Sequence, residues 1–178
     1  MTCIVGLVSD GKIYMGGDSA SVSGWDLIVR ADEKVFRNDG FLMGFTSSFR
    51  MGQLLRYSFN PPTHPDNMDL MRYMATIFVD SIRQCLKDGG FAKKQNEVES
   101  GGNFLIGYKG RLFQIENDYQ VALSRDKFDA VGCGASYALG SLYSTPKMTP
   151  LQRIKTALQC AENFSAGVRA PFKILSLI

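Results

Sequence analysis

The chain has 178 residues, 45% hydrophobic and 21% charged, the balance of an ordinary globular protein, and its length fits one domain spanning residues 1–178. Its 20 basic residues are scattered among 17 acidic ones for a net charge of +3, with no like-charge run beyond pairs such as Lys93-Lys94. Neither nucleic acid nor an anionic membrane is therefore expected as a main partner.

The four cysteines, at 3, 85, 133 and 160, form no CxxC and no close pair. That pattern suggests neither a zinc site nor a disulfide framework, and a reducing compartment is the better expectation. Metal-ligating side chains do not cluster, so no metal and no cofactor are expected. The opening residues lack the basic and apolar regions of a signal peptide, and no apolar run approaches the roughly 20 residues of a membrane span. A cytoplasmic location is the resulting expectation.

In chain order, residues 3–8 and 13–15 are short apolar runs around Asp10-Gly11, which predicts a hairpin. Residues 34–37 and 41–45 around Asn38-Asp39-Gly40 predict a second one, giving about four strands at the start. Ser47 or Ser48 can cap a helix carrying Met51, Leu54 and Leu55, which stops before Asn60-Pro61-Pro62. Asn67 can cap a longer helix whose apolar positions, from Leu70 and Met71 through Met74 to Ile82 and Leu86, recur at helical spacing. Asp88-Gly89-Gly90 ends it, and the polar residues 93–102 read as an exposed loop.

Strands return at 103–108, 112–115, 121–123 and 128–131. Helices follow at 136–143 and from Thr149-Pro150-Leu151-Gln152, which has the capping-box pattern with proline at the first helical position. Residues 172–177 form a closing strand. Strands, two helices, strands, two helices and a strand make an α+β domain. Two sheets back to back, each outer face covered by a helix pair, would give a four-layer αββα sandwich.

Thr2 is the first candidate for chemistry. Removal of Met1 would leave a hydroxyl and a free α-amine on one residue, and such an amine titrates near 8, low enough to accept the hydroxyl proton. Taken alone, Thr2 reads better as merely a small polar residue after the start, since residue type at one position is weak evidence of catalysis. Its neighbours add specificity. Thr2-Cys3-Ile4-Val5, Gly16-Gly17-Asp18-Ser19, Lys34-Val35 and Met43-Gly44-Phe45 together resemble the opening of HslV and proteasome β subunits, the threonine-type N-terminal-nucleophile hydrolases. The likeness continues at Glu116-Asn117-Asp118, Gly132-Cys133-Gly134, Tyr137-Ala138 and Ala157-Leu158, and so spans most of the chain.

The resemblance implies the αββα fold and a site in which Thr2 is the nucleophile. Lys34 would disfavour protonation of the amine, Asp18 would hold Lys34, and the Gly44 N–H would donate to the oxyanion. Cys133 stands where the family commonly has a serine, and a thiol is a weaker donor than a hydroxyl. Ser165 and Val168 stand where proteasome subunits carry an Asp and a Ser. Bland readings exist for each residue: a solvated strand lysine, a turn aspartate, a packing glycine.

The resemblance further implies a polypeptide substrate and a homo-oligomeric ring, hexameric or heptameric, single or stacked, served by an ATP-dependent unfoldase. Two rivals stand beside the endopeptidase reading: a catalytically silent ring-forming subunit, and an amidohydrolase acting on a small amide. Ser21 and Thr46 are candidates for the wall that meets the side chain before the scissile bond. His64, the sole histidine, reads as an ordinary residue of the surface loop 61–65, and Met68, Met71 and Met74 as core or subunit contact.

Overall fold

The computed structural model describes residues 1–178. Strands β1 (Ile4–Ser9) and β2 (Lys12–Gly17) pair antiparallel, with Asp10 and Gly11 at φ 49° and 74° between them. This is the mirror-image turn whose twist suits a two-residue hairpin. The sequence reading then passes over a second hairpin, β3 (Ala20–Ser23) with β4 (Asp26–Val29). Its outer strand is exposed throughout, so it carries none of the buried alternation that marks a strand from sequence. The expected pair β5 (Val35–Asn38) and β6 (Phe41–Phe45) follows, so the chain opens with six strands instead of four.

Helix α1 (Phe49–Tyr57) begins at Ser48, whose hydroxyl accepts the Arg50 N–H, and buries Met51, Leu54 and Leu55 as expected. The longer helix starts two residues later than anticipated. Asp69, not Asn67, caps α2 (Leu70–Tyr73) by accepting from Arg72 N–H. A π-helical turn over Met74–Phe78 then leads into α3 (Val79–Asp88), which ends at Gly89. Residues 93–102, read as a loop, contain a small hairpin, β7 (Lys93–Gln95) with β8 (Val98–Ser100). Asn96 and Glu97 turn it at positive φ.

Strands β9 (Phe104–Tyr108), β10 (Arg111–Ile115), β11 (Val121–Leu123) and β12 (Phe128–Val131) are followed by α4 (Ala135–Ser144) and α5 (Pro150–Phe164). The Thr149 capping box is formed in both directions. The last strand is β13 (Lys173–Leu177). The sheets are antiparallel, ordered β12-β1-β2-β13 and β11-β10-β9-β6-β5. Thus β11 and β12, adjacent in sequence, belong to different sheets, which a strand-by-strand reading does not reveal.

Three apolar clusters mark the interfaces of four layers. Phe41, Met43, Phe104 and Phe113 of the second sheet pack on Met51, Leu55, Phe78 and Ile82 of the first helices. Val5, Leu7 and Ala130 of the first sheet pack on Leu142, Ile154 and Leu158 of the last two. Between the sheets lie Ile4, Ile13 and Met15 against Val35, Leu42 and Leu112. Strand β1 therefore buries alternate residues on opposite faces, Ile4 toward the other sheet and Val5 toward the helices. Burial on both faces, at about 1.5–3 kcal/mol for each large apolar side chain, fixes the strand immediately after Thr2. The αββα sandwich expected from the sequence is the observed fold.

Candidate active site

The site forms where three chain segments meet at one end of the sandwich. Thr2 precedes β1, Asp18 follows β2, and Lys34 precedes β5. Because β1 and β2 are antiparallel with Ile4 opposite Gly17, the residues just outside this end come together. Thr2, Asp18 and Lys34 are 4%, 2% and 1% exposed.

Lys34 Nζ donates to Thr2 Oγ1 at 2.8 Å, to Asp18 Oδ1 at 2.9 Å and to the Ala20 carbonyl at 2.6 Å. Its three protons thus have three acceptors, which a buried ammonium needs. Asp18 is held in turn by backbone donors: Cys3 N–H at 3.0 Å on one oxygen, Ala20 N–H at 2.8 Å and Arg169 N–H at 3.2 Å on the other. The carboxylate therefore ties the starts of β1 and β3 to the loop after α5. Burial is the main influence on Lys34 and lowers its pKa from that of an ordinary lysine, while the Asp18 charge and hydrogen bond oppose the shift. The neighbouring Cys3 thiol is pushed up by burial and by Asp18, which keeps it protonated and inert.

On its other side Thr2 meets the turn after β12. Thr2 N–H donates to Cys133 Sγ at 3.3 Å, and Ser165 Oγ donates to the same sulfur at 3.3 Å. The Thr2 carbonyl accepts from Gly134 N–H at 3.3 Å. Gly132 is required here. Its φ is 101°, and a Cβ would lie 2.2 Å from the Thr2 carbonyl oxygen. Val168 does not reach this polar cluster; it is fully buried against α4 and α5. With Met1 attached, the Thr2 hydroxyl donates to the Met1 carbonyl and the Thr2 nitrogen is an amide.

Gly44 belongs to the second sheet. It lies inside β6, opposite Val35 on one side and Leu105 on the other. The Thr46 N–H bond to the Asn103 carbonyl sets the alternation that turns the Gly44 N–H toward β9, into the sheet. Its missing side chain has a packing reason, since a Cβ would meet Ile4 at 2.5 Å and Met15 at 2.8 Å. Ser47, which lines the same cavity as Thr2, adopts φ 62°, and its N–H has no acceptor within the chain. A serine before a helix cap reads as capping chemistry, and nothing in the sequence marks its left-handed backbone.

Thr2 opens onto a cavity of ≈ 90 Å³. Ser21 and Thr46 line it as anticipated, together with Met1, Val22, Phe45, Ser47 and Phe49. Thr46 Oγ1 is engaged by the Asn103 carbonyl at 2.9 Å. Phe49 carries the Arg30 guanidinium 4.0 Å from its ring centroid. His64 lies far along the chain from this cluster and is less free than expected. Its ring contacts the Met68 carbonyl at 2.9 Å and Lys109 Nζ at 2.7 Å and packs on Tyr73. Of the three methionines, Met74 is core, while Met68 and Met71 pack at its margin. No grouping of potential metal ligands is present.

Comparison with solved structures gives the same architecture. BPH from Thiobacillus denitrificans, a bacterial proteasome homologue, superposes with a TM-score of 0.82 at 21% identity over 99% of this chain and 97% of that one. Eukaryotic HslV from Trypanosoma brucei matches with a TM-score of 0.70 at 13% identity over 99% of both chains. Anbu, an ancestral β-subunit, from Yersinia bercovieri matches at 0.68 and 18% identity, over 99% of this chain and 81% of that one. The BPH protein has also been solved in complex with epoxomicin, with a TM-score of 0.82. No protein-family model and no curated protein matches the chain. The fold is that of the proteasome-like N-terminal-nucleophile hydrolases, as the resemblance in sequence implied. No helix is long and apolar enough to cross a membrane.

Proposed function

We propose that the chain is a threonine-type hydrolase whose nucleophile is Thr2 once Met1 has been removed. The observation that carries this reading is the buried contact of Lys34 Nζ with both Thr2 Oγ1 at 2.8 Å and Asp18 Oδ1 at 2.9 Å. A lysine this deeply buried is costly to maintain, and a purely structural role does not require it to donate to the hydroxyl of residue 2.

In the processed chain the α-amine takes the Thr2 hydroxyl proton as Oγ1 attacks a carbonyl. Lys34 stabilises the negative charge that develops on Oγ1. The Ser47 N–H, in place of Gly44, donates to the oxyanion. The amine then gives its proton to the departing amine, leaving an acyl ester on Thr2, and water attacks this ester to restore the hydroxyl. Phe45, Phe49 and Val22, with hydroxyls from Ser21, Thr46 and Ser47, wall the cavity, which loss of Met1 enlarges and which suits an uncharged side chain before the scissile bond.

The favoured substrate class is polypeptide, and the favoured assembly is a homo-oligomeric ring with an ATP-dependent unfoldase as partner, located in the cytoplasm. Exposed Trp25, Ile28 and Val29 on the β3–β4 hairpin supply an apolar surface for contact between copies. A silent ring-forming subunit is the second reading, favoured by the thiol of Cys133 and by buried Val168 where polar side chains stand in proteasome subunits. Intact mass together with epoxomicin labelling tests the choice. Loss of one methionine with an adduct on Thr2, absent in Thr2→Ala, supports the hydrolase. Retention of Met1 with no adduct moves the silent subunit to first place.

A further inference from the structure

A second cavity, of ≈ 450 Å³, opens at the other end of the sandwich. It lies beyond the far end of β1, whose six residues separate it from Thr2 by roughly 20 Å at the usual strand rise. Its apolar wall is Val8, Leu112 and Leu123, at the mouth of the layer between the sheets. The β1–β2 and β9–β10 turns pass close together here: a Cβ on Gly110 would lie 3.1 Å from the Gly11 carbonyl oxygen. The connection from β11 to β12 closes one side and is pinned by Val8 N–H donating to the Lys127 carbonyl at 2.7 Å.

Three cations, Arg111, Arg125 and Lys127, stand around this apolar wall, and no carboxylate lines it. None of the three forms an ion pair; every ion pair in the chain uses other basic residues. Asp10 and Asp126 lie on the adjoining turns without pairing to them, and Asp10 instead accepts from Ser9 Oγ. Like charges gathered without counter-charges repel one another, and an anion in their midst relieves that repulsion. The volume lies within the range of about 300–1,000 Å³ typical of small-molecule sites.

We propose that this cavity binds a small amphiphilic carboxylate, with the carboxylate against Arg111, Arg125 and Lys127 and the apolar portion on Val8, Leu112 and Leu123. The site is separate from the Thr2 cluster, and its occupancy does not depend on removal of Met1.

Titration calorimetry of the full chain with decanoate, below its micelle concentration, tests the assignment. Saturable binding at one site is expected, weakened at least tenfold in the Arg111→Glu/Arg125→Glu variant and unchanged in Thr2→Ala. Decyltrimethylammonium and acetate, which each lack one half of the recognised chemistry, should not bind. No saturable binding of decanoate, equal affinity in the double variant, or equal binding of the cationic amphiphile would overturn the proposal. Melting curves verify that the double variant folds; should it not, Arg125→Gln in the exposed connection carries the same comparison.

Discussion

Cys133 Sγ lies 3.3 Å from the backbone nitrogen of Thr2 and accepts from it, while Ser165 Oγ donates to the same sulfur at 3.3 Å. The atom that would serve as base is thus linked to its second neighbour through a thiol, a weak partner. Replacing Cys133 by Ser should strengthen this link by about 1 kcal/mol, or roughly fivefold in rate. Steady-state kinetics of the processed chain should show kcat rising in Cys133→Ser and falling in Cys133→Ala. Equal rates in all three forms would remove Cys133 from the proton path.

Lys34→Met should abolish turnover and also lower stability. The substitution leaves the Asp18 carboxylate without its counter-charge, and breaking a buried pair from one side costs about 3–5 kcal/mol. Three backbone N–H groups remain on the carboxylate, so the loss should fall near the lower end. Urea denaturation measures it. A wild-type midpoint would mean that the pair contributes nothing to the fold.

The depressed pKa of Lys34 gives stability and activity opposite dependences on alkaline pH. Between its folded pKa and the ordinary value of 10.5, the unfolded chain binds more protons at this position than the folded one. The Lys34 contribution to stability therefore rises with pH through that window and is least favourable below the folded pKa. Activity should fall across the same window, because Oγ1 loses its ammonium donor. A rate profile whose alkaline limb sits at or above 10.5 in the processed protein would contradict this.

Gly132→Ala should damage site and fold together. The new Cβ would stand 2.2 Å from the Thr2 carbonyl oxygen at φ 101°, a conformation that costs a non-glycine residue about 1–3 kcal/mol before any clash. Thermal melting and kcat should both drop. Gly140→Ala, a helical position with open space around it, is the control expected to keep both.

Ile28→Glu tests the ring. Ile28 is 65% exposed beside fully exposed Trp25 and half-exposed Val29, and a charge there should block burial between copies. Light scattering should then register a smaller species than wild type. A monomeric wild-type chain at micromolar concentration would end the ring reading outright.

The buried polar cluster was legible because the sequence carries its residues at fixed spacing: Thr2, Asp18 and Lys34 do meet. The layers were legible from the hairpin turns, the helical stripe and the capping box at Thr149. What escaped depends on long-range packing. Strand β4 has no buried face, β7 and β8 are charged, and the passage of β12 to the other sheet leaves no local trace. Gly44 admits two readings in sequence, because a glycine required for strand packing and one required near an oxyanion look alike. Arg169 was invisible for the opposite reason: it acts through its backbone N–H and carbonyl, so its side chain carries no signal.

The grip on Asp18 sets an order of events during synthesis. Thr2, Asp18 and Lys34 are translated well before Arg169, whose N–H is one of the donors to Asp18. Ser19 is likewise fastened to the Arg169 and Pro171 carbonyls. A nascent chain therefore carries all three side chains long before it can lock them together. The cluster stays incomplete until residues 169–171 have been made, and a product truncated before them would lack that part of the hold on Asp18 and Ser19.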